Sequence, residues 1–161
     1  GEFICEQLEG TGAVVELEGI PGTSAARERG QGFNAYMSES CPGVTIVARQ
    51  TANFNRAEGL TVMENILTAQ PEIDAVFAHN DEMALGALQA IEASGRDILV
   101  VGFDATDDAV AAVKEGRMAA TVAQLPAMLG AEAVEAAADI IANGAPAETV
   151  NIAVGLQLVV E

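Results

Sequence analysis

Ala75-Val76-Phe77-Ala78-His79-Asn80-Asp81-Glu82-Met83-Ala84 is the stretch on which the architecture turns. Its first four residues are apolar with no polar alternation. Such a run reads as a strand covered on both faces, the mark of a parallel sheet between two layers of helices. His79 and Asn80 leave the strand. Asp81 is expected to cap a helix that turns Met83, Leu88 and Ile91 inward and stops at Gly95. One strand delivered straight into one capped helix is half of a βαβ unit.

The same alternation holds on either side. Upstream, residues 1–9 read as the tail of a helix with Phe3, Ile4 and Leu8 on one side, ended by Gly10 and Gly12. A helix at the very start without a cap is expected to be the remainder of a longer element. Residues 13–17 form a first strand, and Gly19 and Pro21-Gly22 a turn. Thr23 or Ser24 caps a helix to about Ser38 that buries Ala26, Phe33 and Met37. Cys41-Pro42-Gly43 breaks it, residues 44–48 form a second strand, and a polar loop runs through Asn55. A helix over residues 57–69 buries Leu60, Met63, Ile66 and Leu67. Downstream, residues 98–101 form a fourth strand, and a short helix capped by Thr106 or Asp107 stops at Gly116. Residues 119–123 form a fifth strand, Pro126 opens an alanine-rich helix to about Asn143, and residues 150–160 are extended. The pattern predicts an α/β, three-layer lobe around a mostly parallel sheet of five to six strands, without internal repeat, low-complexity tract or linker.

The chain has 161 residues, half of them hydrophobic, with a mean hydropathy of +0.29. Its apolar runs are too short to cross a bilayer, and no charged-then-apolar leader opens it. A net charge of −17, from 24 acidic residues against six arginines and one lysine, repels phosphate backbones and excludes nucleic acid as an expected partner. Cys5 and Cys41 have neither metal spacing nor a CxxC pattern. Cys5 reads as a small buried residue on a helix, and a bridge between the two is left open. His79, the one histidine, has no second ligand near it in sequence and reads as structural or surface-exposed.

Ligands of an open parallel sheet bind just beyond the carboxyl ends of the strands. Arg29, Phe54, Asn80, Phe103, Asp104 and Gln124 all follow strands closely. Helical side chains lean toward the N-terminus, so the Arg29 guanidinium can reach back to the strand ends, where its fixed donors suit vicinal hydroxyls. Asn80 and Gln124 offer amides that both donate and accept, as a sugar hydroxyl does. Asp104 can accept from two neighbouring hydroxyls, and Phe54 and Phe103 can stack on C–H faces. That mixture fits an uncharged, polyhydroxylated ligand. The set contains no serine–histidine pair, acid–base carboxylate pair or metal cluster, so no catalysis, metal or cofactor is expected.

Gly22-Thr23-Ser24-Ala25-Ala26-Arg27-Glu28-Arg29-Gly30, Ala78-His79-Asn80-Asp81-Glu82-Met83-Ala84-Leu85-Gly86-Ala87, Val100-Val101-Gly102-Phe103-Asp104 and Ala120-Thr121-Val122-Ala123-Gln124-Leu125-Pro126 together resemble the C-terminal half of the ribose-binding proteins of bacterial ABC importers. The resemblance runs through the whole chain with nearly the same spacing. It implies a type I periplasmic-binding-protein lobe with flavodoxin-like strand order, a location in the periplasm or on the outer face of the cell (membrane-anchored where there is no outer membrane), and a membrane permease as partner. It also implies that Arg29, Phe54, Asn80, Phe103, Asp104 and Gln124 are the lobe's contacts to a pentose, D-ribose first. The family's N-terminal lobe is absent from this sequence. Residues 1–124 and 154–161 would form the C-terminal lobe, and residues 125–153 would cross to the missing one. The helix carrying Leu129, Ala133, Ala137 and Ile140 is then expected to dock on its own lobe or on a second copy of the chain. The effector lobe of a LacI-type transcription regulator shares the fold and is the alternative.

Overall fold

The structure, a computed structural model, describes residues 1–160. Helices and strands alternate as α1 (Glu2–Gln7), β1 (Gly12–Glu18), α2 (Ser24–Ser40), β2 (Val44–Thr51), α3 (Arg56–Ala69), β3 (Ala75–Ala78), α4 (Asp81–Ser94), β4 (Leu99–Phe103), α5 (Asp107–Lys114), β5 (Ala120–Ala123), α6 (Pro126–Asn143) and β6 (Gln157–Val159). They build one sheet in the order β2-β1-β3-β4-β5-β6. The first five strands are parallel, and β6 adds antiparallel to β5. The expected flavodoxin-like order is therefore present, with one antiparallel strand added.

Alternate residues of each strand face opposite layers. Val15, Leu17, Val76, Ala78 and Val100 turn toward α3, α4 and α5, where they meet Met63, Ile66, Met83, Leu88 and Val113. Val14, Ala75, Phe77, Val101 and Ala120 turn the other way, toward Ile4 of α1 and Phe33 and Met37 of α2. Fully apolar strands are thus accounted for on both faces. Glu16 breaks the rule: it stands in the middle of β1 with no exposure. The chain places β2 on one side of β1 and β3 on the other, and this reversal opens a crevice beyond the carboxyl ends of β1 and β3.

Side-chain caps start four helices. Thr23, Asn55, Asn80 and Thr106 accept from the backbone N–H groups of Ala26, Glu58, Met83 and Ala109. The expectation that Asp81 caps α4 is corrected. Asn80, extended at φ −152° and ψ 170°, is the cap, while Asp81 is already helical and sends its carboxylate sideways to Thr106 and Thr121. Of the expected extended tail, the sheet takes only Gln157–Val159; Glu161 lies outside the described residues.

Two more expectations resolve here. Cys5 and Cys41 form a disulfide, with Cα atoms 6.1 Å apart, tying α1 to the end of α2. The helix α6 spans the expected residues but does not dock on its own lobe: none of its residues is buried, and Leu129, Val134, Ile140 and Ile141 are exposed. The cause is that α1 and α2 already cover one sheet face and α3 to α5 the other. No described helix is long and apolar enough to cross a membrane.

Candidate functional site

The six residues singled out from the sequence gather at the carboxyl edge of the sheet, around the β1/β3 crevice. Arg29 lies in the second turn of α2, and its guanidinium reaches back as its position suggests. One terminal nitrogen donates to the backbone oxygen of His79, and the other donates to Asp104 Oδ1 at 3.1 Å. Its carbon sits 3.9 Å from the Phe103 ring centroid and 5.9 Å from that of Phe54. Cation–π contact of this kind keeps the planar cation in one orientation. Gln124 Nε2 donates to the same Asp104 Oδ1 at 2.8 Å.

Asp104 thus joins two of its neighbours through one oxygen, and its second oxygen accepts no hydrogen bond among the described residues, on a side chain 30% exposed. The Arg29–Asp104 ion pair cancels the net charge of the cluster. Asn80 is used differently from the sequence reading. Its Oδ1 accepts from Met83 N at 3.0 Å as the helix cap, and its Nδ2 donates to the Phe54 carbonyl at 3.4 Å. One amide hydrogen remains to point at a ligand. A cleft of about 550 Å³ opens beside the cluster, bordered by Arg29, Phe103, Gln124, Ser24, Glu28 and Leu156.

The backbone at the site is unusual. Phe54 has φ 57°, and Asp104 and Ala105 have φ 116° and 52°, all in the left-handed region that non-glycine residues avoid. Phe54 is seated by Gly19: a Cβ there would fall 2.0 Å from the ring's Cζ, so the ring lies on bare backbone.

Beneath the crevice lies a polar network that the sequence reading missed. Gly19 N–H donates to His79 Nδ1 at 3.3 Å, so the ring proton sits on Nε2 and is given to Glu16 Oε1 at 2.9 Å. Asn34 and Arg49 also donate to Glu16. Burial alone would push the Glu16 carboxyl up, but the hydrogen bonds from His79, Asn34 and Arg49 outweigh it and hold the group below its ordinary range. Asp81, fully buried, is pushed up by burial despite bonds from Thr121 and Thr106. The signal for Glu16 was present: a carboxylate inside an apolar strand run demands buried partners.

The family described as periplasmic binding protein domain matches residues 1–145. The ribose import binding protein RbsB of Bacillus subtilis is 50% identical over 155 residues, 96% of this chain and 50% of that protein. Among solved structures, an ABC transporter solute binding protein from Bacillus halodurans with bound myo-inositol superposes with TM-score 0.86 and 38% identity, covering 99% of this chain and 55% of the other. A periplasmic solute binding protein from Actinobacillus succinogenes with bound D-allose gives TM-score 0.86 and 37% identity, over 98% and 55%. The chain spans about half the length of the relatives it matches. Sequence, strand order and the gathered strand-end residues agree, and the chain belongs to the periplasmic binding protein family.

Proposed function

We propose that this chain is the C-terminal sugar-binding lobe of a solute-binding protein serving an ABC importer, and that its ligand is a pentose, D-ribose first. The observation that carries this reading is the self-neutralised Arg29–Asp104–Gln124 cluster set between Phe54 and Phe103. A cluster whose one cation and one carboxylate pair with each other, rich in donors and acceptors and walled by rings, matches a neutral sugar better than a phosphate or carboxylate ligand. Half-identity to an RbsB protein supports ribose within the sugar class and supports import over transcriptional regulation.

Asp104 Oδ2 accepts from one sugar hydroxyl, the free Asn80 amide hydrogen and the outer donors of Arg29 and Gln124 serve others, and the rings cover the C–H faces. Residues 1–124 and 154–161 form the binding lobe, and residues 125–153 cross to a second lobe in the full-length protein. The uncovered apolar side chains of α6 support that crossing, since such a face needs a partner. The second lobe closes over the sugar about the crossing segments. Ligand favours the closed form because only there does it touch both lobes. The closed form is the one presented to the permease. The Cys5–Cys41 bond supports a location outside the cytoplasm, where disulfides persist.

Titration calorimetry of the full-length gene product with D-ribose tests the reading, with D-allose and D-xylose as competitors. Saturable binding of ribose, tightest of the three, is expected. Absence of heat with all three sugars would overturn it.

A further inference from the structure

Asp81 is a buried carboxylate that neither the sugar reading nor a helix cap explains, and unlike Glu16, which pairs with Arg49, it lacks a cationic partner. It has no exposure, and no cationic side chain among the described residues forms an ion pair with it. An uncompensated buried carboxylate is costly, and for stability alone an apolar residue would serve better. Its hydrogen bonds show where its effect is felt. Oδ2 accepts from Thr106 N at 2.7 Å and from Thr106 Oγ1 at 3.2 Å. Oδ1 accepts from Thr121 Oγ1 at 2.7 Å, and that hydroxyl accepts in turn from Ala105 N at 3.2 Å.

These bonds converge on the two residues that follow Asp104. Asp104 and Ala105 are consecutive non-glycine residues with positive φ, 116° and 52°. Left-handed conformations of this kind persist only when the surroundings over-determine them. Thr106 N can only donate, and Thr121 Oγ1, which already accepts from Ala105 N, donates its hydrogen to Asp81, so both carboxylate oxygens serve as acceptors. Room for the carboxylate is made by Gly102 on β4, where a Cβ would fall 2.2 Å from Asp81 Oδ1.

We propose that Asp81 is a positioning residue for the site: through Thr106 and Thr121 it holds the Asp104–Ala105 turn in its left-handed form and so aims the Asp104 carboxylate at the ligand. The inference rests on the sugar-binding reading and adds a residue to it that touches no ligand. Loss of Asp81 lets the turn relax, and the Asp104 carboxylate then swings out of register with Arg29 and Gln124.

The test uses the full-length gene product and four variants: Asp81→Asn, Ala105→Gly, the two combined, and Thr121→Val. Calorimetry with D-ribose is run at a temperature where circular dichroism shows each variant folded. Asp81→Asn, which replaces one accepting oxygen with an NH2 donor, is expected to weaken ribose binding about tenfold or more. Adding Ala105→Gly to Asp81→Asn is expected to recover about half of the logarithmic loss, because glycine adopts the left-handed turn unaided. Affinity unchanged in Asp81→Asn, or no recovery on adding Ala105→Gly, overturns the proposal; a merely structural role would lower the melting temperature and leave the affinity of the folded protein alone. Should Asp81→Asn fail to fold, Thr121→Val removes only the hydroxyl relay and is read the same way, with unchanged affinity as the refuting result. Should the parent bind none of the sugars, the functional reading falls. The proposed brace is then decided without ligand, by the intensity of the intraresidue HN–Hα NOEs of residues 104 and 105, which is strongest at positive φ. Their weakening in the variant supports the brace, and unchanged intensity overturns it.

Discussion

Reducing the Cys5–Cys41 bond should destabilise the protein by up to about 4 kcal/mol. The bond closes a loop of 36 residues, from α1 through β1 and α2. In the chain-entropy account, opening such a loop returns about 13 cal/mol/K to the unfolded ensemble, which is about 4 kcal/mol at 25 °C. The native side offers little resistance, because α1 has six residues and only Ile4 fully buried, too little to hold a helix in place untethered. The assay is urea unfolding of the oxidised protein against the Cys5→Ala/Cys41→Ala double variant, which avoids incomplete reduction of a bond whose Cys41 end is buried. With a urea slope of about 2 kcal/mol/M, the midpoint should fall by about 2 M. The slope itself should rise, since the unlinked unfolded chain exposes more surface. Hydrogen exchange should show the amides of Cys5 and Leu8, which donate to the Gly1 and Ile4 carbonyls, losing protection first. A midpoint shift below about 0.5 M with α1 still protected would refute the reasoning and show that packing, not the tether, holds α1.

Asp104→Ala removes the shared acceptor of Arg29 and Gln124 and leaves the Arg29 charge without its partner; pentose affinity should fall by about 2–3 kcal/mol, roughly 30- to 150-fold by calorimetry. Gly19→Ala drives a methyl into the Phe54 ring. The cost should be about 1–3 kcal/mol of stability together with weaker sugar binding, and a melting temperature identical to the parent's would contradict the seating of that ring. Glu16 supplies the acid limb. Its carboxyl is held below its ordinary value of 4.5, so its contribution is complete above that pH and fades as pH falls through the lowered pKa. Asp81 is raised and acts with the opposite sign, its contribution present at acid pH and lost as pH rises through its shifted pKa. Glu16→Gln should therefore cost about 1–3 kcal/mol at pH 7 and flatten the loss of stability measured by chemical unfolding below about pH 4.5. An unchanged acid limb would show that the network does not depend on the carboxylate.

The strand–helix alternation was legible because buried parallel strands leave an apolar signature without alternation, and residues 75–78 and 98–101 carry it plainly. The placement of Arg29, Phe54, Asn80, Phe103, Asp104 and Gln124 followed from the rule that ligand groups lie past strand ends. What was not legible depends on three-dimensional partners. Asn80 and Asp81 are adjacent polar residues of equal capping power. Only the extended backbone at Asn80 and the two threonines waiting for Asp81 distinguish their roles. The disulfide needed the distance between α1 and the end of α2, which spacing along the chain does not supply. The seat of Phe54 on Gly19 joins residues 35 positions apart with no local pattern. The undocked α6 could not be foreseen because its sequence is amphipathic whether or not its own lobe has a free face.

The proposed binding groups lie at or after the ends of five successive strands, at positions 29 to 124. Of the six, only Phe103 and Asp104 are adjacent in the chain, so the proposed grip is complete only when all five strands are in place. A ligand that recognises this edge reads the completed sheet and withdraws from every species in which a strand is missing or out of register. Its binding energy therefore accrues to the whole lobe at once, as RT ln(1 + [L]/Kd), and a saturating sugar would delay melting, proteolysis and slow amide exchange by one common increment.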